Sequence, residues 1–162
     1  MIRTWETYTT KLNQAAEALL IREIAAGDAE TAAQLCEQLG YPVSVEAIKE
    51  RIANVQTLQD RVVFVGSVLR VVVGWIDVGI IHHLQAEPHG EIGGFVISSE
   101  YRSKGIGQKL LAQAEHWVAS RGISRIVVRS QIKREAAHRF YLREGYSQTK
   151  TSAVFSKDLK SG

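Results

Sequence analysis

The most apolar stretch of the chain, residues 62–81, strongly limits the folds that this sequence can adopt. The stretch is rich in β-branched residues, which favour extended strands, and it is interrupted by Arg70 and Asp77. A membrane-spanning helix needs about 20 consecutive apolar residues, so this stretch predicts strands instead of a span. A turn-like segment separates two β-rich runs, residues 61–65 and 71–81, which indicates an antiparallel hairpin.

Alternating strand and helix patterns surround this hairpin. Further strands are predicted at residues 19–24, 89–97 and 125–129, with one or two closing strands within residues 146–159. Helices are predicted at residues 28–39, 45–55, 104–121 and 134–144. Asp28 and Ser44 are expected to cap the first two helices. The sequence therefore predicts an α/β fold with a mixed, mainly antiparallel sheet of six to seven strands flanked by about four helices.

Length and composition indicate one globular domain. The chain has 162 residues, of which 45% are hydrophobic and 23% charged, and these proportions exclude a disordered or fibrous protein. Internal repeats and linkers are absent from the sequence. We expect a domain over residues 19–160, preceded by an N-terminal extension of residues 1–18.

Charge is unevenly distributed, although the net charge is only +3. Residues 101–162 contain 13 basic and four acidic residues, whereas residues 28–60 contain two basic and six acidic residues. This asymmetry favours an anionic ligand near the C-terminal part and a cationic partner near the acidic stretch. On charge alone, solvated helix faces explain the pattern equally well.

Cysteine usage and the amino terminus indicate a cytoplasmic protein. Cys36 is the single cysteine, so no internal disulfide can form, and its apolar neighbours predict a buried thiol on a helix. A reducing cytoplasm suits such a chain. The charged residues Arg3, Glu6 and Lys11 come before any apolar run, which is not the layout of a secretory signal.

Residues 95–107 run from a predicted strand through a short loop into the longest predicted helix. Gly105 and Gly107 lack side chains, so their amides can approach an anion at the amino terminus of that helix. Arg102 and Lys104 add positive charge beside these glycines. The segment predicts a pyrophosphate site, although a simple strand-to-helix turn would also explain two glycines in isolation.

Several other kinds of site are excluded by spacing. No Gly-x-x-x-x-Gly-Lys-Ser/Thr motif occurs, and Leu110 occupies the position of the third glycine of a dinucleotide fingerprint. No two histidines have the spacing of a His-Glu-x-x-His site, so we expect no metal. The basic excess lacks a stacking motif or a reading helix, so we expect neither a nucleic-acid nor a membrane partner.

Two motifs resemble those of the GCN5-related N-acetyltransferase (GNAT) superfamily. Arg102-x-x-Gly105-x-Gly107 matches its Arg/Gln-x-x-Gly-x-Gly/Ala signature between a strand and a helix. Downstream, Ala137-His-Arg-Phe-Tyr-Leu-Arg-Glu-Gly-Tyr146 is similar to its Ala-x-x-Phe-Tyr-x-x-x-Gly-Phe/Tyr segment. The resemblance covers about residues 19–159 and implies the GNAT fold with acetyl-CoA as co-substrate.

The resemblance also implies which residues bind acetyl-CoA. The strand before the loop would pair with the pantetheine arm as an added strand would, and the loop would wrap the pyrophosphate. The residues implied are Phe95, Val96, Ile97, Arg102, Ser103, Lys104, Gly105, Ile106, Gly107 and Gln108. Many members have a cofactor-contacting Asn seven residues before the motif Tyr, where this chain has Arg134. Arg134 is expected either to meet the 3′-phosphate or to lie on the surface.

Acetyl transfer from a thioester requires a neutral amine and a protonated thiolate leaving group. Tyr141 matches the family tyrosine that protonates the sulfur, the alternative being an aromatic core residue beside Phe140. Glu91 lies six residues before Ile97, where several members place a glutamate that acts as a base through water. The alternatives for the base are His82, His83 and His89, and Glu91 is otherwise an exposed strand carboxylate.

The resemblance implies an acetyl-CoA-dependent N-acetyltransferase that acts on a primary amine of a small molecule. Acidic residues in the two early helices, which line the acceptor groove of this fold, favour a cationic acceptor such as an aminoglycoside. These residues are Glu37, Glu46 and Glu50. The alternatives are a non-catalytic acyl-CoA-binding regulatory module and an enzyme acting on protein amino groups. A homodimer is a family-level expectation.

Overall fold

The computed structural model describes residues 18–159, and the chain divides into two compact units, Met1–Arg129 and Ser130–Gly162. In the first unit the strands are β1 (Leu19–Glu23), β2 (Arg61–Val68), β3 (Val71–His83), β4 (Ala86–Ile97) and β5 (Ile126–Val128). Its helices are α1 (Ala29–Leu39), α2 (Val45–Val55) and α3 (Ile106–Ala119), and the second unit contains α4 (Glu135–Arg143). No helix in the described part of the chain is long and apolar enough to cross a membrane.

The strands form one mixed sheet in the order β1-β2-β3-β4-β5, which confirms the predicted α/β class. The pairs β1–β2, β2–β3 and β3–β4 are antiparallel, whereas β5 runs parallel to β4. The expected six to seven strands are wrong, since residues 18–159 contain five and residues 146–159 form none. Val154 and Phe155 are about nine-tenths exposed, so strand formation gains no burial for the β-prone residues of this segment.

In the first unit, α1 and α2 lie on one face of the sheet and α3 lies on the other. Val65 of β2 is buried in a cluster with residues of α1 and α2, and Val96 of β4 belongs to the same cluster. The next residue, Gly66, faces the other way, toward Leu110 of α3. Likewise a Cβ at Gly90 would lie 2.5 Å from a methyl carbon of Val118, so β4 lies close against α3. We call the side that carries Val65 and Val96 the α1–α2 face.

A β-bulge bends β4 in its middle. Asp77 of β3 pairs with Gly94, whereas the next residue, Val78, pairs with Ile92, so Gly93 is an extra residue on β4. A bulge locally increases twist and redirects the strand that carries it. The second half of β4 therefore runs in a different direction from the first half. It leads into the loop of residues 98–105, which we call the glycine loop.

One predicted helix cap is present and one is absent. The Ser44 hydroxyl accepts a hydrogen bond from the Ala47 amide at 3.2 Å, as expected for the start of α2. Asp28 does not cap α1, because its carboxylate binds the Arg22 guanidinium at 2.7 and 2.8 Å and the Ala25 amide at 2.8 Å. The hydrogen bond from Arg22 lowers the pKa of Asp28. The charged partner thus outcompetes the helix amides for this carboxylate.

Candidate functional site

The end of β4 presents backbone groups toward an edge that β5 does not cover. The register between the two strands includes only Gly90–Ile92, whereas β4 continues to Ile97. The Ser98 amide donates to the Val73 carbonyl at 2.8 Å, so hydrogen bonds to β3 alternate along the strand and the backbone groups of Ile97 face away from β3. The Ile97 carbonyl accepts a bond from Arg102 Nε at 3.2 Å. Arg102 thereby ties the following loop to this strand end.

The loop between β4 and α3 contains two residues in the left-handed region. Ser103 has φ +60° and Gly105 has φ +77°, and the latter immediately precedes α3. A Cβ placed on Gly105 would meet no atom within 4 Å, so the space beside this backbone is open. The amides in the first turn of any helix lack intrahelical acceptors, and no side chain caps those of α3. This arrangement suits an anion.

The side chains around the loop add positive charge and fix the start of the helix. Lys104 Nζ lies 4.8 Å from the ring centroid of Tyr101. Ile106 is buried, which anchors the first turn of α3 in the core. The other predicted loop residues are exposed or half-buried: Arg102, Ser103, Lys104, Gly105, Gly107 and Gln108. The structure thus brings together on one loop and helix end the residues predicted to bind pyrophosphate.

The same loop is linked to α1, a contact that the sequence did not predict. Gln38, near the end of α1, accepts a hydrogen bond from the Ser99 amide at 3.1 Å through its side-chain oxygen. The two residues are 61 positions apart, so no local pattern signals the bond. This bond connects the start of the glycine loop to the end of α1.

Glu91 lies on the α1–α2 face within a cluster of ionisable groups. Its Oε2 accepts a hydrogen bond from Arg129 Nε at 3.1 Å and lies 3.9 Å from His89 Nε2. The His83 ring stacks on that of His89 with centroids 5.6 Å apart, whereas His82, the adjacent residue, alternates to the other face. The structure thus brings together Glu91 and two of the three candidate histidines. Within residues 18–159, no three His, Cys, Asp or Glu side chains are grouped so as to hold a metal ion.

A second charged pair, which the sequence did not predict, lies next to this cluster. Arg61 binds Asp77 through two hydrogen bonds of 2.9 and 2.8 Å, which raise the pKa of Arg61. Its stem contacts Gly79 on the way, and its Nη2 lies 2.7 Å from where a Cβ on Gly93 would stand. Glu91 also contributes to raising the pKa of Arg61. We call Arg61, Asp77, Glu91 and Arg129 the charged row.

Tyr141 lies on α4, in the second unit. Its half-buried ring packs against those of Phe140 and Tyr146, with centroids 5.4 and 5.5 Å away. Burial raises the pKa of Tyr141 to about 12, and the nearby positive charge of Arg134 opposes that increase. Arg134 itself is exposed at the start of α4. The Tyr141 phenol therefore stays protonated at neutral and moderately alkaline pH, the state a proton donor needs.

The acidic residues expected to attract a cationic acceptor are exposed on α1 and α2. Glu46 and Glu50 lie on the outer side of α2. Glu37 lines a hollow of about 530 Å³ together with Glu30 and the segment that leads into α2. The structure thus places one of the three predicted acidic residues in a concave surface.

Comparison with known proteins identifies relatives over most of the chain. The model of the acetyltransferase (GNAT) family matches residues 28–146. An aminoalkylphosphonate N-acetyltransferase from Salmonella typhimurium strain LT2 is 38% identical over 120 residues, which span 72% of this chain and 77% of that protein. The family match includes the glycine loop and the charged row.

Solved structures share the fold. AAC(6′)-Iy in complex with a bisubstrate analogue, CoA-S-monomethyl-acetylneamine, superposes with a TM-score of 0.76 at 16% identity, covering 87% of this chain and 99% of that one. A GNAT family acetyltransferase from Staphylococcus aureus superposes with a TM-score of 0.68 at 25% identity, covering 88% and 99%. These similarities support the arrangement of sheet and helices described above.

Proposed function

Because this chain belongs to the acetyltransferase (GNAT) family, we propose that it transfers the acetyl group of acetyl-CoA to the primary amine of a small molecule. It is an N-acetyltransferase that uses acetyl-CoA as co-substrate. The observation that carries the proposal is a continuous surface that suits the acetyl donor, acetyl-CoA. This surface runs from the end of β4, through the glycine loop, to the first turn of α3, which no side chain caps.

The residues of this surface fit the two polar parts of acetyl-CoA. The loop and first-turn amides, with Arg102 and Lys104 beside them, would hold the pyrophosphate, and the open space at Gly105 leaves room for its oxygens. Phe95, Val96 and Ile97 form the edge of β4 along which the pantetheine arm would lie, and backbone groups that face away from β3, those of Ile97 among them, would bind its amide groups. The bound molecule supplies the thioester, and the chain positions it beside the α1–α2 face.

Two classes of acceptor are supported by specific observations. Aminoalkylphosphonates come first, because the 38% identical relative is named for them and because two guanidinium groups lie in the charged row. A polycationic amine such as an aminoglycoside comes second, because Glu30 and Glu37 line the hollow beside α1. The charged row is electrically balanced and suits a zwitterion better than a polycation.

Measurement of thiol release with a panel of acceptors tests this function. The panel contains aminoethylphosphonate, ethylamine, an aminoglycoside and a lysine-containing peptide, and mass spectrometry identifies the acetylated product. We expect release with at least one small amine and faster release with aminoethylphosphonate than with the aminoglycoside. Acetylation of the peptide alone would favour a protein acetyltransferase, and acetyl-CoA binding without any turnover would favour the regulatory module.

Replacing Glu91 by glutamine tests the proposed general base. Because the carboxylate would act through water and is already paired with Arg129, we expect turnover at neutral pH to fall by about 10-fold, below the usual range for a directly acting base. The loss should shrink as the pH approaches the pKa of the acceptor amine, since the amine then loses its proton unaided. Glu87→Gln, on the exposed start of β4, is the matched control. Wild-type rates for Glu91→Gln at every pH would make Glu91 structural and direct attention to His89.

A further inference from the structure

We propose that Arg129 binds an anionic group of the acceptor, so that the enzyme selects amines whose tail carries a phosphonate or a chemically similar acid. This inference rests on the proposed function and names the residue that determines its acceptor specificity. Binding involves no covalent change in Arg129.

The position of Arg129 follows from the strand register. Val127 of β5 pairs with Glu91 of β4 in the parallel ladder. Arg129 lies two residues farther along, so its side chain points to the same side of the sheet as that of Val127. Its hydrogen bond to Glu91 shows that this is the α1–α2 face. Arg129 therefore lies just beyond the end of β5, where β4 continues alone toward the glycine loop.

The Arg129 guanidinium retains unused donors. Its bond to Glu91 uses Nε, and in the described part of the chain its Nη1 and Nη2 groups have no hydrogen-bond acceptor. The side chain is 57% exposed, so these donors face solvent. A guanidinium has five N–H groups in a planar fork that matches two oxygens of a phosphonate or carboxylate. Glu91 holds one end of this fork and leaves the other end available.

Arg61, the other cation of the charged row, is less suited to this role. It binds Asp77 through both Nε and Nη2, and its stem crosses β3 at Gly79, so its fork joins neighbouring strands. The Arg129 bond, in contrast, involves one N–H and a guanidinium mostly in water. Such exposed pairs contribute little to stability, so stability alone is a weak reason for a cation here.

The charges of this face complement a zwitterion. The carboxylates of Asp77 and Glu91 attract an ammonium group, and Arg129 offers its free donors to the acid at the other end of the same molecule. The acid group would then orient the amine toward the end of β4. An amine without an acid lacks this second point of attachment.

Kinetics with two matched acceptors test the inference. Aminoethylphosphonate and ethylamine share the reacting amine and differ in the anionic tail. For Arg129→Gln we expect kcat/KM on aminoethylphosphonate to fall by about 10- to 100-fold, mainly through KM, because charge-assisted bonds to the tail are lost. The value for ethylamine should change by less than about 3-fold. Arg129→Lys keeps the positive charge but lacks the planar fork. Its kcat/KM on aminoethylphosphonate should therefore lie between the values of the wild type and of Arg129→Gln.

The control and the contrary outcomes are equally specific. Arg121→Gln removes a guanidinium that stacks on Trp117 and donates to the Gln59 carbonyl just beyond the end of α3, and this variant should leave both acceptors unaffected. Equal losses for the two acceptors in Arg129→Gln would show that Arg129 acts through Glu91 and would overturn the inference. Unchanged kinetics, or a wild-type enzyme that does not prefer aminoethylphosphonate over ethylamine, would overturn it as well.

Binding measurements separate this inference from the proposed function. Calorimetry of aminoethylphosphonate with the CoA-bound protein reports anion recognition without turnover. Binding that depends on Arg129, with no thiol release from acetyl-CoA by any small amine, would keep the inference and contradict the proposed function. Thiol release that is indifferent to Arg129 would keep the proposed function and overturn the inference.

Discussion

Gly105→Asp is expected to weaken acetyl-CoA binding by at least about 10²-fold, because it places a carboxylate where the loop amides would meet phosphate oxygens and like charges in contact cost several kcal/mol. The space beside Gly105 contains no protein atom within 4 Å of a Cβ, so the new side chain fits the free protein. Its backbone has φ +77°, which costs an L-residue about 1 kcal/mol. Aspartate is favourable at a helix amino terminus, which offsets part of this cost.

Gly122→Asp is the matched control for this variant. Gly122 follows the other end of α3 with φ +73°, and a Cβ there also meets no atom within 4 Å. The two variants therefore introduce the same charge into the same kind of backbone at opposite ends of one helix. Calorimetry should show normal acetyl-CoA affinity for Gly122→Asp. Acetyl-CoA should raise the melting temperature of Gly122→Asp, as it does that of the wild type, but not that of Gly105→Asp. A folded Gly105→Asp variant with wild-type affinity would mean that the pyrophosphate binds elsewhere.

The sequence predicted those parts of the fold that local patterns encode. The β2–β3 hairpin follows from two β-branched runs around a turn, and α3 from apolar residues at helical spacing between Gly105 and Gly122. The glycine loop was predicted for the same reason, since its chemistry depends on consecutive residues. Each of these three features is determined by residues that are close together in the sequence and have strong conformational preferences.

The charged row could not be predicted, because it depends on strand register. Arg129 and Glu91 are 38 positions apart and meet only because β5 lies parallel to β4 with Val127 opposite Glu91. The bulge at Gly93 has the same origin, since a single sequence does not reveal which strand residue lacks a partner. Long-range pairing thus determined the part of the candidate site that we propose contacts the acceptor.

Tyr141→Phe is expected to lower kcat by about 10²-fold, the lower end of the range for a positioned general acid, because the CoA thiol is acidic enough to leave partly unaided. The substitution removes one hydroxyl and keeps the ring that packs against Phe140 and Tyr146. Stability at neutral pH and acetyl-CoA affinity should therefore stay near wild type. Tyr146→Phe, which removes a hydroxyl from the same aromatic group, is the control for packing.

The raised pKa of Tyr141 adds a test that does not depend on turnover. Burial shifts the pKa from 10.0 to about 12, so between these values the folded protein retains a proton that the unfolded chain has lost. The free energy of unfolding should therefore fall as the pH rises from 10.0 toward about 12, and this fall should be smaller in Tyr141→Phe. Denaturant unfolding measures the difference, and ultraviolet titration of phenolate should lose its highest-pH component in the variant.

The raised pKa of Tyr141 also determines how kcat should depend on pH. A phenol that ionises near pH 12 remains a proton donor throughout the usual assay range, so Tyr141 should produce no alkaline decline in kcat below about pH 10. A decline well below that value would have to come from another group, and it should persist in Tyr141→Phe. If Tyr141→Phe folds, binds acetyl-CoA normally and turns over at the wild-type rate, Tyr141 is a packing residue. If, in addition, no amine is ever acetylated, the protein is better described as an acyl-CoA-binding regulatory module.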